Sequence, residues 1–292
     1  MSERKFAYGM GWWPDVPDFR DYTLEQADIA KMLKSVKLGD PAAVTIPEKV
    51  SLRDGCAPIE DQESIGSCTA NAGVGLVEYL ERRAYGRHVD ASRLFLYKTT
   101  RNLLHWTGDT GAFLRSTMGA MVLFGVPPEE YWPYEIAEYD VEPPAFCYAY
   151  AQSYQAIKYV RLDPFGTSQD DLLKSIKTNI AGGLPSMFGF VVYSSISQAS
   201  DDGEIPFPCP GESRRGGHAI VAVGYDDKKK IKNTLCTGST TTGALMIRNS
   251  WGTGWGDGGY GWLPYEYVLK GLAIDWWVLV NQEWFDTKNF GL

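Results

Sequence analysis

The sequence predicts an α+β chain with a helical first half, an antiparallel β second half and a cleft between them. Three observations carry this expectation. Residues 68–124 hold apolar side chains at helical spacing. Residues 155–280 hold short runs rich in β-branched and aromatic residues, separated by glycine or polar turns. Between them, the proline-rich segment 127–144 is too broken for long elements and marks a boundary. Ligands favour clefts of this kind.

In chain order, residues 1–43 read as an arm, residues 44–150 as the mainly helical domain and residues 151–292 as the β-rich domain. The stretch GMGWWPDVPDFRDY carries two prolines among its aromatics, which favours extended backbone. Thr23 and Gln26 then form a capping-box pattern, and Ile29, Met32, Leu33 and Val36 fall at helical spacing up to Gly39. Such a piece cannot bury Phe6, Tyr8, Trp12 and Trp13 by itself and must pack on the body or on a partner. An irregular strap with prolines at 47 and 58 leads to a helix that starts at Cys68. Small residues from Thr69 to Gly73, with Val74, Leu76, Val77 and Leu80 after them, predict a helix buried on most of its surface.

Residues 92–107 read as helix followed by loop, 109–112 (DTGA) as a turn, and 113–124 as a helix closed by Gly125. In the second half, 155–160 alternates like a strand. Ser168 and Asp171 cap a helix through Leu172, Leu173, Ile176 and Ile180 that stops at Gly182-Gly183. Strands are expected over 186–193, 218–225, 244–248, 259–263 and 275–280, with a polar loop from Asp226 to Thr242.

Composition narrows the function. The chain has 292 residues and a formal charge of −8, and its longest basic run is Lys228 to Lys230, so a nucleic-acid backbone is not the expected partner. Five cysteines are too few and too widely spaced for a disulfide scaffold, their odd number leaves a free thiol, and no pair has metal-ligand spacing. No cofactor or metal is expected. No stretch reads as an export signal or approaches membrane-spanning length, so a soluble protein is expected.

Cys68 follows Gly66-Ser67 at a helix N-terminus, where unpaired N–H groups and the macrodipole stabilise a thiolate, the reactive form. By itself it fits an inert buried side chain equally well. Of three histidines, His88 and His105 read as surface or packing residues, whereas His218 follows Gly216-Gly217 and opens the apolar strand HAIVAVGY. Asn249, in RNSWG, could accept the imidazole N–H and so select the ring nitrogen that faces the thiol, with Trp251 shielding that bond from water. Each of these segments alone is also compatible with a purely structural role.

Taken together, Gln62 six positions before Cys68, the strand HAIVAVGY and the later NSWGTGWGDGGYGW resemble the papain-like cysteine peptidases, the bacterial xylellain type among them. The resemblance covers residues 44–280. It implies a two-domain fold, with a helical left domain, an antiparallel β-barrel-like right domain and the active site between them. It implies a peptide-hydrolysing endopeptidase with Cys68 as nucleophile, His218 as its ion-pair partner and general acid, Asn249 orienting the imidazole and Gln62 donating to the oxyanion hole. Gly111, Ala112, Gly217 and Ala219, with Trp251, would line the substrate cleft, and Phe188 or Gly189 would border an apolar pocket for the residue preceding the scissile one. Peptides are the expected partners of a monomer. A catalytically silent peptide-binding relative and a transpeptidase or ligase would share these residues.

Thr69 and Ile65 depart from the family pattern, which suggests a divergent member relying less on disulfides. His218 and Asn249 lie 31 positions apart because of the 226–242 insertion, read either as surface decoration or as a partner site. Residues 1–43 are too short for the family's long propeptide, and two roles remain open for them, an intramolecular inhibitor over the cleft or a permanent strap.

Overall fold

The computed structural model describes residues 8–24, 26 and 46–282. The helix expected between Thr23 and Gly39 falls largely outside the described residues, as does Phe6. The elements are β1 (Trp12–Trp13), β2 (Lys49–Ser51), α1 (Cys68–Tyr85), α2 (Arg93–Leu103), β3 (Ala112–Phe113), α3 (Leu114–Leu123), α4 (Ala145–Ala151), β4 (Ala156–Arg161), α5 (Gln169–Ala181), β5 (Ser186–Tyr193), β6 (Arg214–Lys232), β7 (Thr240–Arg248), β8 (Tyr260–Pro264), α6 (Tyr265–Leu269) and β9 (Ala273–Gln282).

The helices start and stop where local chemistry directs. At the end of α1, Gly86 adopts φ 71° and returns its N–H to the Arg82 carbonyl, a left-handed cap suited to glycine. Ser92 caps α2 by accepting from the Phe95 N–H at 3.2 Å, and Ser168 caps α5 by accepting from Asp171 N–H at 3.1 Å. Two short helices, α4 and α6, were not expected. They follow Pro144 and Pro264, whose fixed φ suits a helix start, and neither is long enough to show a helical period.

The main sheet is antiparallel with strand order β4-β9-β5-β6-β7-β8, and β2 pairs with β6. Among the described residues the sheet does not close, its path ending at β4 and β8, and the mixed α+β architecture is the one expected. Strand periodicity sends successive residues to opposite faces. Phe188, Ile220 and Trp276 therefore join α5 and α6 in one core, while Met187, Val221 and Trp277 join α1, α2 and α3 in another. Helix α1, buried from Cys68 through Tyr79, lies against the sheet with its first residue at the cleft.

The segment expected as a polar loop, 226–242, is largely strand. β6 continues to Lys232 and β7 begins at Thr240, so the insertion is an extended hairpin. Its outer residues alternate exposed and buried around Ile231, a period that the run of lysines hides. Cys236 at its tip forms a disulfide with Cys209, with Cα atoms 6.1 Å apart, and Cys56, Cys68 and Cys147 are free. Among the described residues no helix is long and apolar enough to cross a membrane, and no group of three or more acidic, His or Cys side chains is placed to hold a metal.

Candidate active site

Cys68, His218, Asn249 and Gln62 converge at the cleft, and each is almost completely buried. Cys68 is the first residue of α1, and backbone groups of Ala219, Gly11, Thr69 and Cys68 itself lie near enough to the sulfur to favour its thiolate form. His218 lies on β6, and its Nε2 sits 2.8 Å from Asn249 Oδ1, which also accepts the Ser250 N–H at 2.9 Å. Because that oxygen can only accept, Nε2 carries the proton in the neutral ring and Nδ1 is left for the reacting partner. In this state Nδ1 is buried without a hydrogen-bond partner. Trp251 stacks on the imidazole at 4.6 Å and 20°, covering the His218–Asn249 bond.

The Gln62 amide is oriented by its oxygen, which accepts from Ser250 Oγ at 2.6 Å. Its Nε2 then faces the cleft, donating to the carbonyls of Ile65 at 3.0 Å and Gly9 at 2.9 Å. Tyr134 holds the same turn, donating to the Gln62 carbonyl at 2.9 Å and lying 2.6 Å from Ser67 Oγ. Asp109 accepts from the Gly66 N–H at 2.8 Å and from Tyr97 at 2.5 Å, and so ties the approach to Cys68 to the turn carrying Gly111. Ser250, Tyr134 and Asp109 were not picked out in the sequence, and only Ser250, next to Asn249, carried a local hint.

The N-terminal arm runs through this site. The Gly9 carbonyl takes the Gln62 amide, the Gly11 carbonyl accepts from the Ala112 N–H at 2.7 Å, and β1 pairs in parallel with β3, Trp12 opposite Ala112. Tyr8 stacks on the outer face of Trp251 at 4.9 Å and 9°, extending the His218–Trp251 stack. Close approach explains the two arm glycines: a Cβ at Gly9 would overlap the Ile65 carbonyl, and one at Gly11 would overlap that of Gly66. Gly111, Ala112, Gly217 and Ala219 all lie in this contact zone, with Gly111 against the Gly11 carbonyl and Gly217 against Trp12.

Trp12 is inserted beside Gly189, and its indole Nε1 donates to Asp275 Oδ2 at 3.1 Å. Phe188, the other residue expected at a pocket, faces away into the core and stacks on Trp276 at 3.8 Å. The pocket is therefore not purely apolar, since a buried carboxylate forms its floor. The signal for Asp275 was a single acid inside the apolar run AIDWWVLV, which spacing alone does not connect to a cleft.

Electrostatically, this covered site is held toward neutrality. Burial pushes the Cys68 thiol up to about 11, outweighing the backbone groups that favour a thiolate. Burial also pushes His218 down to about 4, against the opposing effect of Asn249. Asp275 is raised to about 7, burial prevailing over the nearby Arg161 guanidinium.

A buried cysteine at a helix N-terminus, an imidazole oriented by an asparagine and a glutamine amide turned toward the same cleft define a thiol-peptidase type of site, and the chain belongs to the papain family: residues 46–270 match the Papain family cysteine protease. Among solved structures it is similar to xylellain, a cysteine protease from Xylella fastidiosa, at 33% identity and a TM-score of 0.73 over 96% of this chain and 98% of that one. An uncharacterised peptidase C1-like protein of Acanthamoeba polyphaga mimivirus is 33% identical over 81% of this chain and 71% of its own length. Papain of Carica papaya is 26% identical over 74% of this chain and 54% of its own.

Proposed function

We propose that this chain is a papain-like cysteine endopeptidase whose N-terminal arm restrains it by filling the cleft. The observation that carries the reading is the Gly9 carbonyl on Gln62 Nε2, beside the buried Cys68 and the His218–Asn249 pair. A peptide carbonyl of the arm thus takes one of the donors that this reading assigns to a scissile carbonyl.

With the arm withdrawn, water reaches the thiol and imidazole, and the desolvation that keeps both neutral is relieved. Proton transfer from Cys68 to His218 then gives a thiolate beside an imidazolium. The thiolate adds to the peptide carbonyl, the oxyanion is held by Gln62 Nε2 and the Cys68 N–H, and His218 passes its proton to the departing amine. Water next attacks the thioester with His218 as base, releasing the acid and restoring the thiol. Losing the Gln62 donor is expected to cost about 3 kcal/mol in the barrier.

Procathepsin L 3 of Tenebrio molitor, at 19% identity and a TM-score of 0.61, shares the fold. The deciding experiment is labelling by an epoxysuccinyl inhibitor with mass spectrometry of the modified peptide, on the full chain, on a chain lacking residues 1–43 and on His218→Ala. Labelling confined to Cys68, faster without the arm and lost in His218→Ala, is the expected result. Equal rates with and without the arm, in folded protein, would remove the inhibitory role, and no labelling in either His218-containing form would remove the peptidase reading.

A further inference from the structure

The arm leaves an imprint of what the pocket beside Gly189 accepts. Trp12 is only 6% exposed there, and its indole N–H ends on Asp275 Oδ2. The other carboxylate oxygen is already engaged: Oδ1 accepts from Trp277 Nε1 at 2.7 Å and lies 3.3 Å from the Arg161 guanidinium. Oδ2 is therefore the oxygen that faces the occupant. Asp275 has φ 64° and sits where the pairing of β5 with β9 shifts between Met187 and Gly189, an irregularity that re-aims a side chain. Its N–H is fixed by Asp163 Oδ2 at 2.8 Å. The walls are equally particular, because a Cβ at Gly189 or Gly217 would run into the indole ring.

We propose that this pocket selects tryptophan side chains in peptide substrates, with Asp275 as the specificity-determining acceptor and Gly189 and Gly217 as the walls that admit a double ring. This rests on the peptidase reading above and names its substrate class. A phenyl or aliphatic occupant would bury Oδ2 without a donor, which is costly for a carboxylate oxygen. A basic side chain would lose its own hydration on entry, and it would meet a carboxylate that already faces the Arg161 guanidinium, which Asp163 shares at 2.9 Å. A neutral ring carrying one N–H satisfies both conditions.

The test uses the full chain and a set of fluorogenic peptides, identical except at the residue preceding the scissile one. That residue is tryptophan, 3-benzothienylalanine, phenylalanine, leucine or arginine. The benzothienyl ring has the shape of indole and lacks the N–H. Ratios of kcat/KM do not depend on how much of the protein has its arm displaced, because every peptide meets the same open fraction. Tryptophan is expected to exceed its benzothienyl isostere by about tenfold or more.

In Asp275→Asn the amide oxygen turns toward Trp277 and Arg161 and the amide N–H₂ faces the occupant, so that ratio should fall to about one or below. The isostere comparison needs no variant, and it decides the matter even if Asp275→Asn does not fold. Turnover of tryptophan and isostere at equal rates, or a preference for phenylalanine, leucine or arginine, would overturn the pocket assignment and leave the peptidase reading standing. No turnover of any peptide, either by the full chain or by Gly11→Ala, in which the Gly66 carbonyl would force the arm away, would overturn both.

Discussion

The chain carries two additions to its catalytic frame, the N-terminal arm and the 226–242 hairpin, and they are held in opposite ways. The arm is bound through atoms that belong to the site: the Gln62 amide, the Ala112 N–H, the face of Trp251 and the Asp275 carboxylate. Beyond Trp13 it is clamped by charge, with Arg115 on Asp15 and Asp21 and Arg161 donating to the Asp15 carbonyl at 2.9 Å. The hairpin is bound to its neighbouring loop. Cys236 is bonded to Cys209, and Asn233 donates to Glu212 at 2.7 Å and to the Phe207 carbonyl at 2.9 Å. One addition contacts the candidate site and the other contacts none of those four groups, so position over the cleft, and not inserted length, is what the proposed restraint rests on.

That contrast can be broken most sharply at Gly11. Alanine there would overlap the Gly66 carbonyl, a rigid backbone neighbour, so the arm should be displaced in Gly11→Ala while the body keeps its fold. Alkylation of Cys68 by iodoacetamide is expected to accelerate by about 100-fold, the equivalent of a few kcal/mol of overpacking. A rate equal to that of the unaltered chain would show that the glycine contact does not hold the arm. Arg115→Gln should have a smaller effect, about fivefold in the same assay, because its ion pairs are partly exposed and Arg161 still holds the arm. That increment should shrink in high salt, whereas the Gly11→Ala effect should not.

The protonation of His218 sharpens the comparison further. Burial lowers its pKa to about 4 in the covered state from an ordinary 6.5. A group lowered in this way favours the covered state fully above the ordinary value, and that preference fades as pH falls toward 4. In the full chain the imidazole resonances should therefore stay neutral down to about pH 4, and acid should shift the arm toward release. In Gly11→Ala the midpoint should rise by more than one unit. An NMR titration showing the same midpoint in both proteins would mean that the arm does not govern the solvation of the site.

How much of this was legible beforehand follows from what each residue needs. Cys68, His218 and Asn249 stood out as candidates because a thiol at a helix start, a histidine on an apolar strand and an asparagine after a strand are readable from their immediate neighbours. Only the resemblance joined them, and the strand of His218 in fact starts earlier, at Arg214. The role of Gln62 came only from the family resemblance, since nothing local says which way its amide turns; Ser250 settles that from the far side of the chain. Gly9 and Gly11 were visible as glycines, but the need for them is set by carbonyls more than 50 residues away. Asp275 was hidden because its side chain leaves the regular strand alternation at a register shift, which no periodicity shows. The hairpin was misread for a related reason: lysines on the exposed positions of a strand look like a solvated loop unless the buried Ile231 among them is weighted.

The hairpin should give the smallest effect on the site. Its disulfide spans 27 residues, and for a loop of that length the chain-entropy contribution is about 3.5 kcal/mol. Paired serines at Cys209 and Cys236 should therefore lower the thermal midpoint by about 5–10 °C. The hydrogen bonds of Asn233 and Glu212 tie the same loops independently, so the geometry near His218 should persist. Cys68 alkylation is then expected to change by no more than about twofold, as for separate sites whose effects add. A larger change would show that the stapled loop, which runs from Cys209 through Glu212 into the strand bearing His218, transmits its order to the imidazole. The hairpin would then belong with the arm as a control element rather than as a buttress.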